Sequence, residues 1–225
     1  MSERIAAIIP AYQAGTSLDA VVRGTLRHLS DVLVVDDGSS DETSAVARSA
    51  GAIVIRHPHN RGKGAALASG FQHWLGLGFE ACVTLDADLQ HSPEEIPRLL
   101  APELAAADLV LGVRDHLFAG MTPLRRVGNR LSARMISLAA GTTLCDAQTG
   151  FRLYRKRLLE GVPWREAGYE AESAVLVRAG RAGFCIASVS IAMGFVDGRT
   201  TSHFRPLVDS LRIAGAVLRA RFERP

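Results

Sequence analysis

Residues 83–93 read Val-Thr-Leu-Asp-Ala-Asp-Leu-Gln-His-Ser-Pro. An apolar run (Ala81, Cys82, Val83, Leu85) stops at two carboxylates one residue apart, Asp86 and Asp88. A helix-start signal follows at once: Ser92 as cap, Pro93 at the first helical position, then Glu94 and Glu95. The two carboxylates therefore sit where a buried strand runs out into a loop, the place where open α/β sheets collect their ligands. With the Gln90 amide oxygen nearby they form a hard oxygen set suited to Mg²⁺ or Mn²⁺, and a metal held by few protein ligands keeps room for substrate phosphates. Asp-x-Asp also occurs as an ordinary solvated loop, so the elements around it have to decide.

The chain has 225 residues, enough for one full-sized domain spanning 1–225. Its 48% apolar and 22% charged residues are those of a globular protein and argue against disorder. The net charge of +3 favours anionic ligands only weakly, and nothing points to nucleic acid as a partner. Lys63 and Lys156 are the only lysines, so an arginine counts by its position rather than its presence. Cys82, Cys145 and Cys185 are widely spaced; Cys82 and Cys185 lie in apolar runs and are expected to be buried thiols of a reducing compartment. No signal peptide and no apolar run of the ~18 residues that suggest a membrane span is visible. The expected location is cytoplasmic, with peripheral contact at the inner face of the membrane left open.

Short apolar runs alternate with helical patterns. Ile5–Ile9 (stopped by Pro10), Val32–Val35, Ala52–Ile55, the run ending at Asp86, and Leu109–Gly112 read as buried parallel strands. Ser17 can cap a helix carrying Leu18, Val21, Val22, Leu26 and Leu29, and Ser40 or Asp41 one through Val46 and Ala47. Further helices are expected from Ala65 to Gly76 or Gly78 and from Pro93 to Leu104. This is a mostly parallel, doubly wound α/β sheet flanked by helices. No G-x-G-x-x-G follows the first strand, and Gly62-Lys63-Gly64 is no P-loop. Beyond Gly112 a helix from Pro123 carries Arg125, Arg126, Arg130 and Arg134. A polar turn covers Asp146–Arg152, a helix Tyr169–Ala182, a strand-like alternation Phe184–Phe195, a polar loop Asp197–His203 and a final helix Pro206–Phe222. The apolar stripe of that last helix is expected to pack on the domain or on a second subunit, with an anionic bilayer as the alternative.

Taken together, the blocks Ile8–Tyr12, Val34–Asp41, Asn60–Gly64, Leu85–His91, Gly112–Arg114, Arg126–Arg130, Asp146 with Thr149–Arg152, and Ser202–Arg205 resemble the family 2 glycosyltransferases of GT-A fold. Within them the chain looks most like the dolichol-phosphate mannosyltransferase branch, which loads a sugar onto a polyprenyl phosphate. The resemblance implies a nucleotide-sugar donor of the GDP-mannose or UDP-glucose type, a divalent metal, and transfer with inversion. Residues 1–112 would then bind the donor and 113–225 the acceptor. Pro10, Tyr12, Asp36 and Asp37 would hold the nucleoside, and Lys63 would approach the nucleotide. Asp86, Asp88 and Gln90 would hold Mg²⁺ or Mn²⁺, Gln90 being the mark of this branch.

If the acceptor is a phosphate it needs no base, only positive charge to bring two anions together, and arginine's bidentate fork suits that. Arg114 and Arg199 lead, and with Asp88 they are the candidates for a direct part in catalysis. Arg126, Arg130 and Ser202 are further substrate contacts, and Arg152 a weaker candidate. A hydroxyl acceptor, on a saccharide or a phosphorylated small molecule, would instead need Asp146 or Glu170 as base. A sugar nucleotidyltransferase or a mere nucleotide-sugar binder is the reading of another class, but it would need a glycine-rich basic loop after the first strand, and Pro10–Gly15 is not one. Two departures from the family pattern stand out: Tyr12 is followed by Gln13-Ala14 where the family has Asn-Glu, and Ser202 by His203 where it has Lys.

Overall fold

The computed structural model describes residues 3–113, 123–144, 146–192 and 205–223, with the backbone alone described over 123–130 and 206–207. Arg114, Arg199, Ser202, His203 and Cys145 lie outside the described residues, as do the side chains of Arg126 and Arg130.

The chain runs β1 (Ile5–Ala11), α1 (Leu18–Leu26), β2 (Val32–Asp36), α2 (Thr43–Ser49), β3 (Ile53–Arg56), α3 (Lys63–Gly76) and β4 (Ala81–Thr84). It continues through α4 (Ile96–Leu99), β5 (Leu109–Val113), α5 (Pro123–Ala140), β6 (Arg152–Arg155), α6 (Lys156–Gly161), α7 (Glu170–Arg181), β7 (Ile186–Ser190) and α8 (Pro206–Phe222). The seven strands form one sheet in the order β3-β2-β1-β4-β6-β5-β7.

The continuous apolar runs of β1 and β2 are explained by burial on both faces, whereas β3, expected to be buried, is an edge strand with Ile53 46% exposed. In β1, Ala6 and Ile8 join a core with α3, α7 and α8, while Ala7 and Ile9 join a second core with α1 and α2. β2 divides in the same way, Leu33 and Val35 to one side and Val32 and Val34 to the other. Strand periodicity of two, with both faces covered, leaves no polar positions in between.

Several expectations need correction. β1 does not stop at Pro10: it runs to Ala11, with Pro10 opposite Val35 and Ala11 opposite Asp36. The helix expected from Pro93 to Leu104 is broken into a 3₁₀ turn at Pro93–Glu95, the short α4 and a second 3₁₀ turn at Pro102–Leu104. Pro97 and Pro102 each lack the N–H that a continuing helix would need. Ser17 caps no helix; its hydroxyl donates to the Ala87 carbonyl at 2.6 Å. The alternation expected over Phe184–Phe195 is a strand only at Ile186–Ser190 among the described residues. Cys185 is exposed, whereas Cys82 is buried as expected.

The strand that the sequence conceals is β6. It enters between β4 and β5, antiparallel to both, pairing Val83 with Leu153 and Val110 with Leu153. Its four residues, Arg-Leu-Tyr-Arg, have charged ends and only two apolar positions.

Candidate active site

Four loops that leave the carboxyl ends of strands converge on one cleft of about 800 Å³. Pro10, Tyr12 and Gln13 come from the end of β1 and Asp37 from the end of β2. Gly62 and Lys63 open α3, and Asp86 and Asp88 follow β4. Gly168 and Tyr169 precede α7, while Arg205, Val208, Asp209 and Arg212 come from the start of α8. Parallel strands put their C-terminal ends on one side, which is why motifs scattered over the chain meet there.

Asp36 and Asp37 part company here. Asp36 is fully buried and does not line the cleft. Its carboxylate accepts the Ser39 N–H at 2.8 Å and the Ser44 hydroxyl, and Arg56 lies 3.6 Å away. The Asp36 carboxylate is thus occupied by the turn after β2. Asp37 does line the cleft, but its two oxygens accept the N–H groups of Arg61 and Gly62 at 2.9 and 2.7 Å. His57 Nδ1 meets the same carboxylate at 2.6 Å, and His57 Nε2 meets the Ser69 hydroxyl at 3.0 Å. Asp37 thus holds the 57–62 loop, and His57 is the brace between that loop and α3.

The β4 turn is built around its carboxylates. Leu89 has φ 62°, a left-handed conformation that costs a branched residue about 1 kcal/mol or more. This twist lets Gln90 turn back: its backbone N–H and its amide Nε2 both donate to Asp88, at 3.1 and 2.7 Å. Gln90 thus holds the Asp88 carboxylate in place. Burial, and then the charge of Asp86, push the Asp88 carboxyl above its ordinary value.

Asp86 is tied to the opening of α3. Lys63 Nζ lies 2.6 Å from Asp86 Oδ1 and 2.9 Å from Glu172 Oε2 of α7. The lysine side chain is 15% exposed and that of Glu172 8%. Burial alone would lower the Lys63 pKa, but the charges of Asp86 and Glu172 outweigh it and hold the ammonium well above its ordinary range. Lys63 thus reaches the cleft as expected, with its charge engaged by two carboxylates. Gly150 makes this possible: a Cβ there would stand 2.4 Å from Asp86 Oδ2 and 2.8 Å from Lys63 Nζ. His91 lies beneath, buried, with Nδ1 3.9 Å from Asp86 Oδ2 and its ring stacked on Phe151.

Arg152 is not a surface cation. It is fully buried and donates to the carbonyls of Thr149, Ala147 and Glu172 at 2.7, 3.0 and 2.9 Å. Asp146 accepts the Gln148 N–H at 2.9 Å, and neither it nor Glu170 lines the cleft. Arg205 and Arg212 do, although the sequence reading had singled out neither as a site residue. Asp209 beside them accepts the Arg205 N–H at 2.6 Å and lies 3.9 Å from Arg212. The advance signal for Arg205 was its place in the family block Ser202–Arg205, and for Arg212 its place two turns into the helix that follows.

Among proteins of known structure, glucosyl-3-phosphoglycerate synthase from Mycobacterium tuberculosis, crystallised with Mn²⁺, uridine diphosphate and phosphoglyceric acid, superposes with a TM-score of 0.74. At 20% identity, over all of this chain and 80% of that one, the likeness shows a shared GT-A fold. Polyprenol monophosphomannose synthase of Mycolicibacterium smegmatis is 33% identical over 206 residues, covering 84% of this chain and 77% of the relative. Undecaprenyl-phosphate 4-deoxy-4-formamido-L-arabinose transferase of Klebsiella pneumoniae is 30% identical over 172 residues, 71% of this chain; the match spans about half (51%) of that longer relative. The family model described as glycosyl transferase family 2 matches residues 6–162, which takes in β1 to β6 and every cleft residue supplied by the first four strands. On that match the chain belongs to the family 2 glycosyltransferases, and its enzymatic class is that of a glycosyltransferase.

Proposed function

We propose that this enzyme moves a hexose from a nucleotide sugar of the GDP-mannose or UDP-glucose type to a polyprenyl phosphate, with inversion and with the help of Mg²⁺ or Mn²⁺. The observation that carries the reading is the make-up of the cleft. Asp86 and Asp88 share it with the arginines Arg205 and Arg212; its other carboxylates, Asp37 and Asp209, accept backbone N–H groups, and Asp146 and Glu170, the two bases named for a hydroxyl acceptor, do not line it. A phosphate acceptor is already anionic at neutral pH, so its oxygen can form the new bond to the sugar C1 while the bond from C1 to the nucleoside diphosphate breaks. No proton need be removed. The names of the two polyprenyl-phosphate relatives support the same acceptor class.

The donor set fits a divalent cation. Asp86 and Asp88 are hard oxygen ligands, and the ionised form of Asp88 is disfavoured in the protein alone. Mn²⁺ and uridine diphosphate in the crystal of the M. tuberculosis synthase, which shares the fold, support a divalent cation at this place. Bound there, the cation would act as a Lewis acid on the departing diphosphate. Tyr12 and Pro10 would bound the nucleoside and Asp37 would shape its loop. Lys63 would keep Asp86 in register, and Gln90 would do so for Asp88. Arg205 and Arg212, with Arg114 and Arg199, would supply the positive charge that brings acceptor and donor phosphates together, with Arg126, Arg130 and Ser202 as further substrate contacts. In this reading one domain spans the chain, its first half (1–112) holding the donor and its second (113–225) the acceptor.

The test is transfer from radiolabelled GDP-mannose and UDP-glucose to a short polyprenyl phosphate in detergent, with Mn²⁺ or with EDTA. Lipid-linked label that disappears with EDTA and in Asp88→Ala is expected. Label that passes only to a soluble acceptor such as 3-phosphoglycerate, or to water, would overturn the lipid-phosphate assignment.

A further inference from the structure

α8 is apolar on two sides. Ile213, Ala216, Val217 and Ala220 are buried in the core shared with α7. Leu211, Leu218 and Phe222, spaced by seven and four residues, form a second stripe that is 74%, 58% and 77% exposed. α5 repeats the pattern: Leu131 and Leu138, seven apart, are 67% and 74% exposed. Both helices pack on α7 and on each other, so the two stripes belong to one outer layer. Exposed apolar residues scattered singly are ordinary; a stripe on each of two helices that touch is not.

Among the described residues, the exposed charges on α5 and α8 are all basic. Arg212, Arg219 and Arg221 are exposed beside the α8 stripe, and Arg134 is exposed on α5. The single acid of α8, Asp209, is buried, and Glu223 just beyond it is bound to Arg178 at 2.7 Å. The α5 sequence contains four arginines and no acid. A two-fold contact between copies would press this patch onto itself, arginine against arginine. An anionic lipid surface complements it, with leucines and a phenylalanine entering the acyl boundary and arginines meeting headgroup phosphates.

We propose that the exposed α5–α8 layer is a membrane-docking face that seats the enzyme on an anionic bilayer. Its position gives the contact a purpose. Arg205, Val208 and Arg212, at the start of α8, line the cleft, so a helix resting on the bilayer brings the cleft to the headgroup layer, where the phosphate of a prenyl lipid resides. This purpose rests on the acceptor reading above; the docking itself does not. Among the described residues no helix is long and apolar enough to cross a membrane, and a peripheral seat needs none.

The test is co-sedimentation with phosphatidylglycerol-containing vesicles and with pure phosphatidylcholine vesicles, over a salt series. Each arginine near an anionic surface is worth about fivefold in partitioning. Arg219→Gln/Arg221→Gln should therefore lose about 25-fold on anionic vesicles, and Leu218→Glu/Phe222→Glu should abolish pelleting. Both variants should keep the native circular dichroism and melting profile, and also transfer to short polyprenyl phosphate in detergent. Failure of the wild-type chain to pellet with anionic vesicles at low salt would overturn the proposal. So would a dimer in sedimentation velocity that Leu218→Glu/Phe222→Glu dissociates, since a second copy would then be the occupant. Vesicle binding without any lipid-linked transfer would overturn the acceptor reading and leave the docking face standing.

Discussion

Replacing Lys63 by Met is the sharpest probe of how the cleft is held together. The ammonium joins Asp86 at 2.6 Å and Glu172 at 2.9 Å, and none of the three side chains is more than 28% exposed. Breaking a buried ion pair from one side costs about 3–5 kcal/mol, because the remaining charge is left without its partner. The lower figure applies here: Arg152 Nε lies 3.7 Å from the other oxygen of Glu172, and Asp86 retains some solvent. For a chain of this size a loss of ~3 kcal/mol corresponds to a melting point lower by roughly 6–12 °C. Lys63→Met/Glu172→Met removes the buried anion as well and should recover at least half of that loss, a coupling read from the double-mutant cycle. Binding of the Mn²⁺–nucleoside diphosphate complex, followed by calorimetry, should weaken about 10-fold or more in Lys63→Met, the usual cost of losing a group that orients a metal ligand. A Lys63→Met protein that melts within 2 °C of wild type, or a double variant whose losses simply add, would refute the reasoning.

Three further outcomes follow from the same contacts. Gly150→Ala would press a methyl against the Asp86 and Lys63 side chains, which their mutual ion pair holds in place; transfer should fall at least ~10-fold with a loss in stability of about 1–3 kcal/mol, checked by kinetics beside thermal melts. Asp88→Asn removes a carboxylate whose ionisation is opposed by burial and by Asp86, so the metal-free protein should melt about 1–3 °C higher while transfer is lost. Glu223, held below its ordinary pKa chiefly by its hydrogen bonds from Arg178, contributes stability that is present above the unfolded carboxylate value and lost as pH falls through its folded value. Acidification from pH 5 to pH 3 should accordingly loosen the end of α8 from α7, seen as faster amide exchange in α8 that Glu223→Gln shows already at pH 7.

What the sequence determined by itself is local. Apolar runs four or five residues long were enough for β1, β2, β4 and β5, because strands buried on both faces leave no other pattern. The terminal helix was legible to the residue, since a 3.6-residue stripe bounded by Pro206 survives without its partner. Tyr12, Asp37, Lys63, Asp86 and Asp88 were legible as cleft residues because strand ends and family motifs coincide there.

Tertiary structure decided whatever depends on a distant partner. β6 becomes a strand only because β4 and β5 offer it edges; nothing in Arg-Leu-Tyr-Arg announces it. Arg152 is a buried strut and not a ligand because three carbonyls happen to surround it. Asp36 is spent on its own turn while Asp37, one residue on, enters the cleft, a difference set by strand pleat and loop path. Periodicity also showed that α8 carries an apolar stripe, but not that Leu211, Leu218 and Phe222 would stay uncovered. A stripe records where apolar side chains are, and only the packing of neighbouring helices determines which of them meet protein.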